Sequence, residues 1–185
     1  QVKTGDELFK IYLKSVGRNS VLLLNVPPNR KGLLADEDIH ALQGFKRLID
    51  TSFKKDMAAG DRVRSSSTAA GQPVDSIIDN YSGKYWLAAN NKKPAVIELK
   101  LKEKSTFNCL ELQEEITLGQ RIEAFKLENW DGKSWRKIGN GTTVGYRRLI
   151  TFPEISASRL RLVITSSRSA PALKKLGLYK LAASL

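Results

Sequence analysis

Much of what an enzyme sequence usually displays is missing from these 185 residues. There is one cysteine and one histidine. A lone Cys109 cannot close an internal disulfide, so no cross-linked framework holds the chain. It lies in "FNCLEL", where apolar neighbours point to a buried core thiol rather than a nucleophile or ligand. With His40 the sole imidazole, and that in a helical segment, a His-based metal site or a Ser-His-Asp triad confined to this chain is excluded. Apolar runs long enough to cross a bilayer are absent, so no membrane partner is expected. Internal repeats and low-complexity tracts are absent as well.

Long blocks of like charge are also wanting, although the net charge is +12. Up to Met57 there are 10 basic and 7 acidic residues, leaving +3; beyond it 21 basic and 12 acidic leave +9. Most of these cations stand singly along strand-like stretches such as "LRLVI" and "RKIGN". A basic surface adds salt-dependent attraction to any polyanion. Scattered cations more often form a solvated face, and nucleic acid is not the expected partner.

What is present divides in two. Thr4 and Glu7 stand at capping-box spacing before a helical pattern of Leu8, Phe9, Tyr12, Leu13 and Val16, with Gly17 as its C-cap. "SVLLLNVPPNR" follows, in which five of residues 21–26 are apolar. A half-buried strand alternates apolar with polar, and this run does not, so it reads as a strand covered on both faces, the habit of parallel sheets. A second helix is expected from about Asp36 to Ser52, with Asp36, Glu37 and Asp38 at its start and a stripe of Ile39, Leu42, Phe45, Leu48 and Ile49. The opening piece is therefore α-β-α. Gln1 leads almost directly into its first helix, which reads as a fragment of a longer polypeptide.

After Met57 the period changes to two. "RVRSSS" reads as an edge strand. "AVIELKL", "FNCLELQ", "RIEAFKLENW", "SWRKIG", "RRLITF", "RLRLVIT" and "KLGLYKL" read as short strands separated by turns, the pattern of an antiparallel β-sandwich. Asp131-Gly132 marks a hairpin. The shift places a domain boundary between residues 56 and 57, giving units 1–56 and 57–185.

The second unit resembles the discoidin, or coagulation factor C-type, family, which overlaps carbohydrate-binding module family 32. "IIDNYSGKYW", "AVIELKL", "FKLENWDGKSW" and "SRLRLVITSSRSAPALKKLGLY" carry the likeness. "YLKSVGRNSVLLLNVPPNRKGLLADEDIHALQGF" resembles the end of the catalytic barrel of glycoside hydrolase family 29, the α-L-fucosidases. "LQEEITLGQRIEAF" and "GTTVGYRRL" resemble the discoidin-type domain that follows this barrel in the α-1,3/1,4-specific branch. The resemblance implies a mainly β fold, a jelly-roll sandwich preceded by a remnant of a TIM-like barrel. In a closed barrel, side-chain layers within and helices outside would cover residues 21–26.

The same resemblance implies that the chain is non-catalytic by itself. The family's carboxylate nucleophile and acid/base, set about 5 Å apart for retention, lie earlier in the barrel. Asp36, Glu37, Asp38, Glu114 and Glu115 are read instead as a helix start and a loop. Residues 25–29 would sit at the barrel's active-site mouth, as pocket wall or structural turn. Glu114, Arg121, Tyr146, Arg147, Arg148 and Arg168 are the candidates for contacting a fucosylated glycan, since fixed donor forks and an aromatic face suit a sugar. The alternative is that these arginines pair with Glu114 or Glu115 to lock loops or dock the barrel. Trp86 and Trp135 fall at family core positions, and Trp130 is expected to be exposed. Many discoidin-type modules hold calcium through an Asp, a Thr and a Glu. Asp79 matches the first position, but Lys84 and Lys175 occupy the others, and ammonium groups cannot coordinate a cation. No metal or cofactor is expected, and a lysine ammonium is expected to replace the ion beside Asp79. An autonomous lectin or adhesin is the first rival reading, and an anion-binding module that exploits the +9 region is the second. The parent enzyme is expected outside the cytoplasm.

Overall fold

The computed structural model describes residues 2–79 and 83–182. Two helices come first, α1 (Gly5–Lys14) and α2 (Asp36–Ser52). The capping box forms as expected: Thr4 Oγ1 accepts from the Glu7 N–H, and Glu7 Oε2 accepts from the Thr4 N–H at 2.8 Å. α1 ends at Ser15 rather than at a left-handed Gly17. Gly17 is needed for another reason, because a Cβ there would sit 2.4 Å from the Leu13 carbonyl oxygen.

The doubly covered strand at residues 21–26 is absent. The segment has no regular structure and no backbone hydrogen bond to a neighbour among the described residues, and Val21 and Leu23 are 89% and 91% exposed. Only Leu22, Leu24 and Val26, on the opposite side, are half-covered. A strand needs partners on its edges to satisfy its backbone groups, and among the described residues no strand pairs with this segment. The stripe of α2 is likewise only half-buried.

The remainder is antiparallel β: β1 (Arg62–Ser65), β2 (Trp86–Leu87), β3 (Ala95–Glu114), β4 (Ile122–Trp130), β5 (Trp135–Gly141), β6 (Arg148–Ser167) and β7 (Ala172–Tyr179). Four short strands expected from sequence merge into two of 20 residues each. β3 joins "AVIELKL" to "FNCLELQ", and β6 joins "RRLITF" to "RLRLVIT". The chain stays hydrogen-bonded through breaks in register at Lys100/Ser105 and Phe107/Cys109. At the second break Pro153 lies among the residues of β6 left out of the pairing, where its missing N–H costs no ladder bond.

These two long strands serve both layers of the sandwich. The early half of β3 and the late half of β6 lie with β1, β4 and β5. Their other halves lie with β7, which carries β2 on its far edge. Between the layers sits the main core, including Trp86, Ile97, Phe107, Leu110, Leu112, Leu127, Leu160, Leu162 and Leu178. Trp86 is fully buried and its indole N–H donates to the Ser67 carbonyl at 3.1 Å. Trp135 is not in that core: it sits half-buried on the outer face against Trp130, itself half-buried rather than exposed. The Asp131-Gly132 hairpin forms, with a four-residue loop between the paired Trp130 and Trp135.

A second core joins helices to sandwich. Cys109, Leu149, Tyr179 and Leu181 point outward from the β7 side and meet Phe9, Tyr12 and Leu13 of α1, with Phe45, Leu48, Ile49 and Phe53 packed around them. Gly5 lets α1 cross α2 closely, since a Cβ there would lie 2.8 Å from the Phe45 amide nitrogen.

Candidate functional site

Loop residues named from the sequence fall into two groups. Glu114 is buried at the end of β3, and its carboxylate accepts three backbone N–H bonds. Oε1 takes those of Arg121 (2.7 Å) and Ile122 (2.8 Å), and Oε2 takes that of Gly145 (2.6 Å). Buried carboxylate oxygens need such donors, so Glu114 staples two loops. The Arg121 guanidinium donates to the carbonyls of Leu118 (3.1 Å) and Ala170 (2.9 Å), while its own carbonyl accepts from the Arg168 N–H. The Arg168 side chain reaches out to Glu123 at 3.1 Å and is 72% exposed. Tyr146 is 68% exposed. The structure thus gathers Glu114, Arg121, Arg168 and Tyr146 around one end of the sandwich. The first two spend their polar atoms on protein backbone.

Arg147 and Arg148 turn away toward the helices. Arg147 Nη1 donates to the Tyr12 hydroxyl at 2.7 Å, its Nε lies 2.8 Å from Glu111 Oε1, and its guanidinium stacks over Phe53. Glu111, fully inside, also accepts from Gln113 at 2.8 Å and stands 3.5 Å from the Lys175 ammonium. Arg148 faces a cleft of about 500 Å³ shared with Lys10, Lys14 and Arg18. Burial, then the Arg18 charge, lowers its pKa.

Asp79, Lys84 and Lys175 do line one cleft, of about 420 Å³. The Lys175 ammonium, however, is held by Glu111 and, at 3.9 Å, by Asp56. Asp56 also accepts the N–H groups of Ala58 (2.9 Å) and Leu178 (3.0 Å) and the Tyr179 hydroxyl (3.2 Å). Burial pushes the Asp56 carboxyl above its ordinary range, against those bonds and the Lys175 charge. Burial, with the charges of Asp56 and Glu111, raises Tyr179 far above an ordinary phenol. Cys109 is pushed up to about 12, mainly by burial, so its thiol is inert at neutral pH. Among the described residues, no group of three or more His, Cys, Asp or Glu side chains is placed to hold a metal.

The ionic cluster of Asp56, Glu111, Arg147 and Lys175 therefore lies between helices and sandwich. Sequence reasoning passed over Asp56, Glu111 and Asn19. Asn19 takes a left-handed φ of 71°, and its Oδ1 accepts from the Tyr146 (2.8 Å) and Arg147 (3.3 Å) amides. The available signals were a carboxylate inside an apolar run ("CLEL") and an asparagine in the turn that follows the first helix.

With that geometry in view, similarity to known proteins becomes informative. Residues 62–175 match the F5/8 type C domain. The chain belongs to the F5/8 type C family. This F5/8 type C chain is 38% identical over 184 residues to "Alpha-L-fucosidase 1" of Arabidopsis thaliana, covering 96% of itself and 36% of that protein. It superposes on the crystal structure of SpGH29 with a TM-score of 0.93 at 37% identity, covering 98% of itself and 40% of that chain. For a GH29 fucosidase of Ruminococcus gnavus in complex with fucose, the TM-score is 0.88 at 32% identity, with 97% and 37% covered. The chain thus spans little more than a third of the length of these relatives. The domain match begins only at residue 62, whereas the fucosidase matches span nearly the whole chain, so the helical piece is shared with them too. A chitosan-binding module of Paenibacillus, 22% identical with a TM-score of 0.60, shares the fold.

Proposed function

We propose that this chain is the C-terminal portion of a GH29 α-L-fucosidase that removes terminal fucose from glycans. In this reading residues 1–56 end the catalytic barrel, and residues 57–185 form the F5/8 type C sandwich that buttresses it. The parent enzyme works outside the cytoplasm. One observation carries the reading: residues 21–26 are an apolar segment with no strand paired to it and with Val21 and Leu23 in solvent, while the helices flanking it are anchored on the sandwich. An independently working sugar-binding module has no use for such a segment. The ionic cluster and second core would fix the direction in which it is presented. Fucosylated glycan is contacted at the sandwich end through what remains exposed there, Tyr146 and Arg168.

Complementation tests it. The chain is co-expressed with a GH29 α-L-fucosidase truncated of the matching third, and hydrolysis of 4-nitrophenyl α-L-fucoside is followed. The chain alone is expected to be inactive, the pair active, and Leu23→Asp in the chain to abolish the activity. Failure of the two pieces to associate would overturn the barrel assignment.

A further inference from the structure

The sandwich has two outer faces, and the helices cover only one. On the open face the strands present two neighbouring cross-strand rows of opposite character. One row runs Arg64, Glu98, Arg161, Glu128, Lys137 across β1, β3, β6, β4 and β5, alternating in sign. It is paired at its centre, where Arg161 and Lys126 both bind Glu128. Burial acts to raise that carboxyl, but hydrogen bonds from Lys126 and Arg161 outweigh it and hold the pKa low.

Two residues along, the other row is Arg62, Lys100, Arg159, three cations directly opposite one another on β1, β3 and β6. Like charges in this position destabilise a sheet. All three are exposed, and the nearest carboxylate, Glu98, stands 3.9 Å from Arg159 at the limit of ion pairing. Among the described residues no side-chain bond engages Arg62 or Lys100. With Arg64 and Glu98 they line a shallow groove of about 250 Å³. At its inner end the Arg159 guanidinium lies over the rings of Trp130 (5.4 Å) and Trp135 (5.6 Å), which hold it in place. The neighbouring row sets a carboxylate between its cations, whereas this row contains none.

We infer that the row Arg62–Lys100–Arg159 is a docking surface for a sulfated polysaccharide, a role beyond support of a barrel and independent of it. Strands lie about 4.8 Å apart, so the three oxygens of one sulfate ester reach two cations of the row at once, which two coplanar carboxylate oxygens do less well. A flat, open face suits a polymer. Single-stranded nucleic acid needs free aromatic faces to stack on, but here the two indoles meet edge to face and carry Arg159 and Arg161. A duplex needs a helix or ribbon that enters a groove. A lipid surface needs apolar side chains beside the cations, and the exposed large apolar residues (Val2, Val21, Leu23, Leu33, Leu34, Ile116 and Tyr146) all lie off these strands.

The test is binding of the full chain to heparin and to dextran sulfate at several salt concentrations. Comparison is with Arg62→Gln/Lys100→Gln/Arg159→Gln and with Lys10→Gln/Lys14→Gln/Arg18→Gln, an equal charge change in the other basic cleft. The row variant is expected to bind dextran sulfate on the order of tenfold more weakly near 0.1 M salt and with a shallower salt dependence, the cleft variant nearly as the parent. Its melting temperature should not fall, because like charges have been removed. Equal losses in both variants would reduce the effect to net charge and overturn the proposal. So would polyuronate or single-stranded DNA competing as well as heparin per charge. The single Arg159→Gln variant, at the Trp-backed end, provides the same readout should the triple variant misfold. No catalytic barrel is involved, so failure here leaves the fucosidase reading untouched.

Discussion

Two apolar runs in this chain obey the same rule and meet different fates. Residues 107–112 of β3 are buried on both faces, Phe107, Leu110 and Leu112 by the main core and Cys109 by the helices. Residues 21–26 have the composition of a doubly covered strand, yet Val21 and Leu23 face solvent. Composition records what a segment is suited to bury. Only the neighbours decide whether it is buried here. An unsatisfied run beside a satisfied one is therefore informative: it marks an apolar surface left uncovered here.

The sharpest way to break the comparison is to truncate one residue in each run. Phe107→Ala should cost about 3–5 kcal/mol, whereas Leu23→Ala should stay within about 0.5 kcal/mol, both by urea denaturation. A comparable loss at Leu23 would mean that its run is already covered in this chain. Next in size is Arg147→Ala, which leaves Glu111 with Lys175 and Gln113 alone; a loss of about 3 kcal/mol is expected. A change below about 1 kcal/mol would show that Lys175 suffices and that Arg147 does not fasten helices to sandwich. Smallest is a pH effect at Asp56. Its folded pKa is raised, so the native state holds the proton more tightly than the unfolded chain. Its contribution is complete below the ordinary carboxylate range and is lost as pH rises through the folded value. The stability of the parent relative to Asp56→Asn should therefore decline with rising pH across that range, read as the difference in melting temperature. A difference moving the other way would show that Lys175 pairing outweighs burial.

Much of the fold was legible because it rests on local periodicity and caps. The Thr4–Glu7 box, the bounds of α2 and the switch to alternating strands are nearest-neighbour patterns. The merging of four short strands into β3 and β6 was not, since bulges let strands continue through breaks that read as turns. The site was less legible. Glu114 carries a carboxylate suited to a sugar hydroxyl, and nothing local says that three backbone N–H groups will reach it first. Trp135 reads as core by family position, but the pleat places it outside with Trp130. Arg62, Lys100 and Arg159 are scattered singly along the sequence, and only antiparallel register sets them in one row.

By itself the sequence determined the two helices, the sandwich class and the presence of an apolar segment suited to cover on both faces, because these follow from side-chain period and backbone chemistry within a few residues. Tertiary structure alone decided which charges meet. It buried Glu111 beside Arg147 and Lys175, closed Glu114 on two loops and set three cations in one row, of which Arg62 and Lys100 have no ionic partner among the described residues. Electrostatic energy depends on distance and desolvation, and strand pairing sets both between residues far apart in the chain.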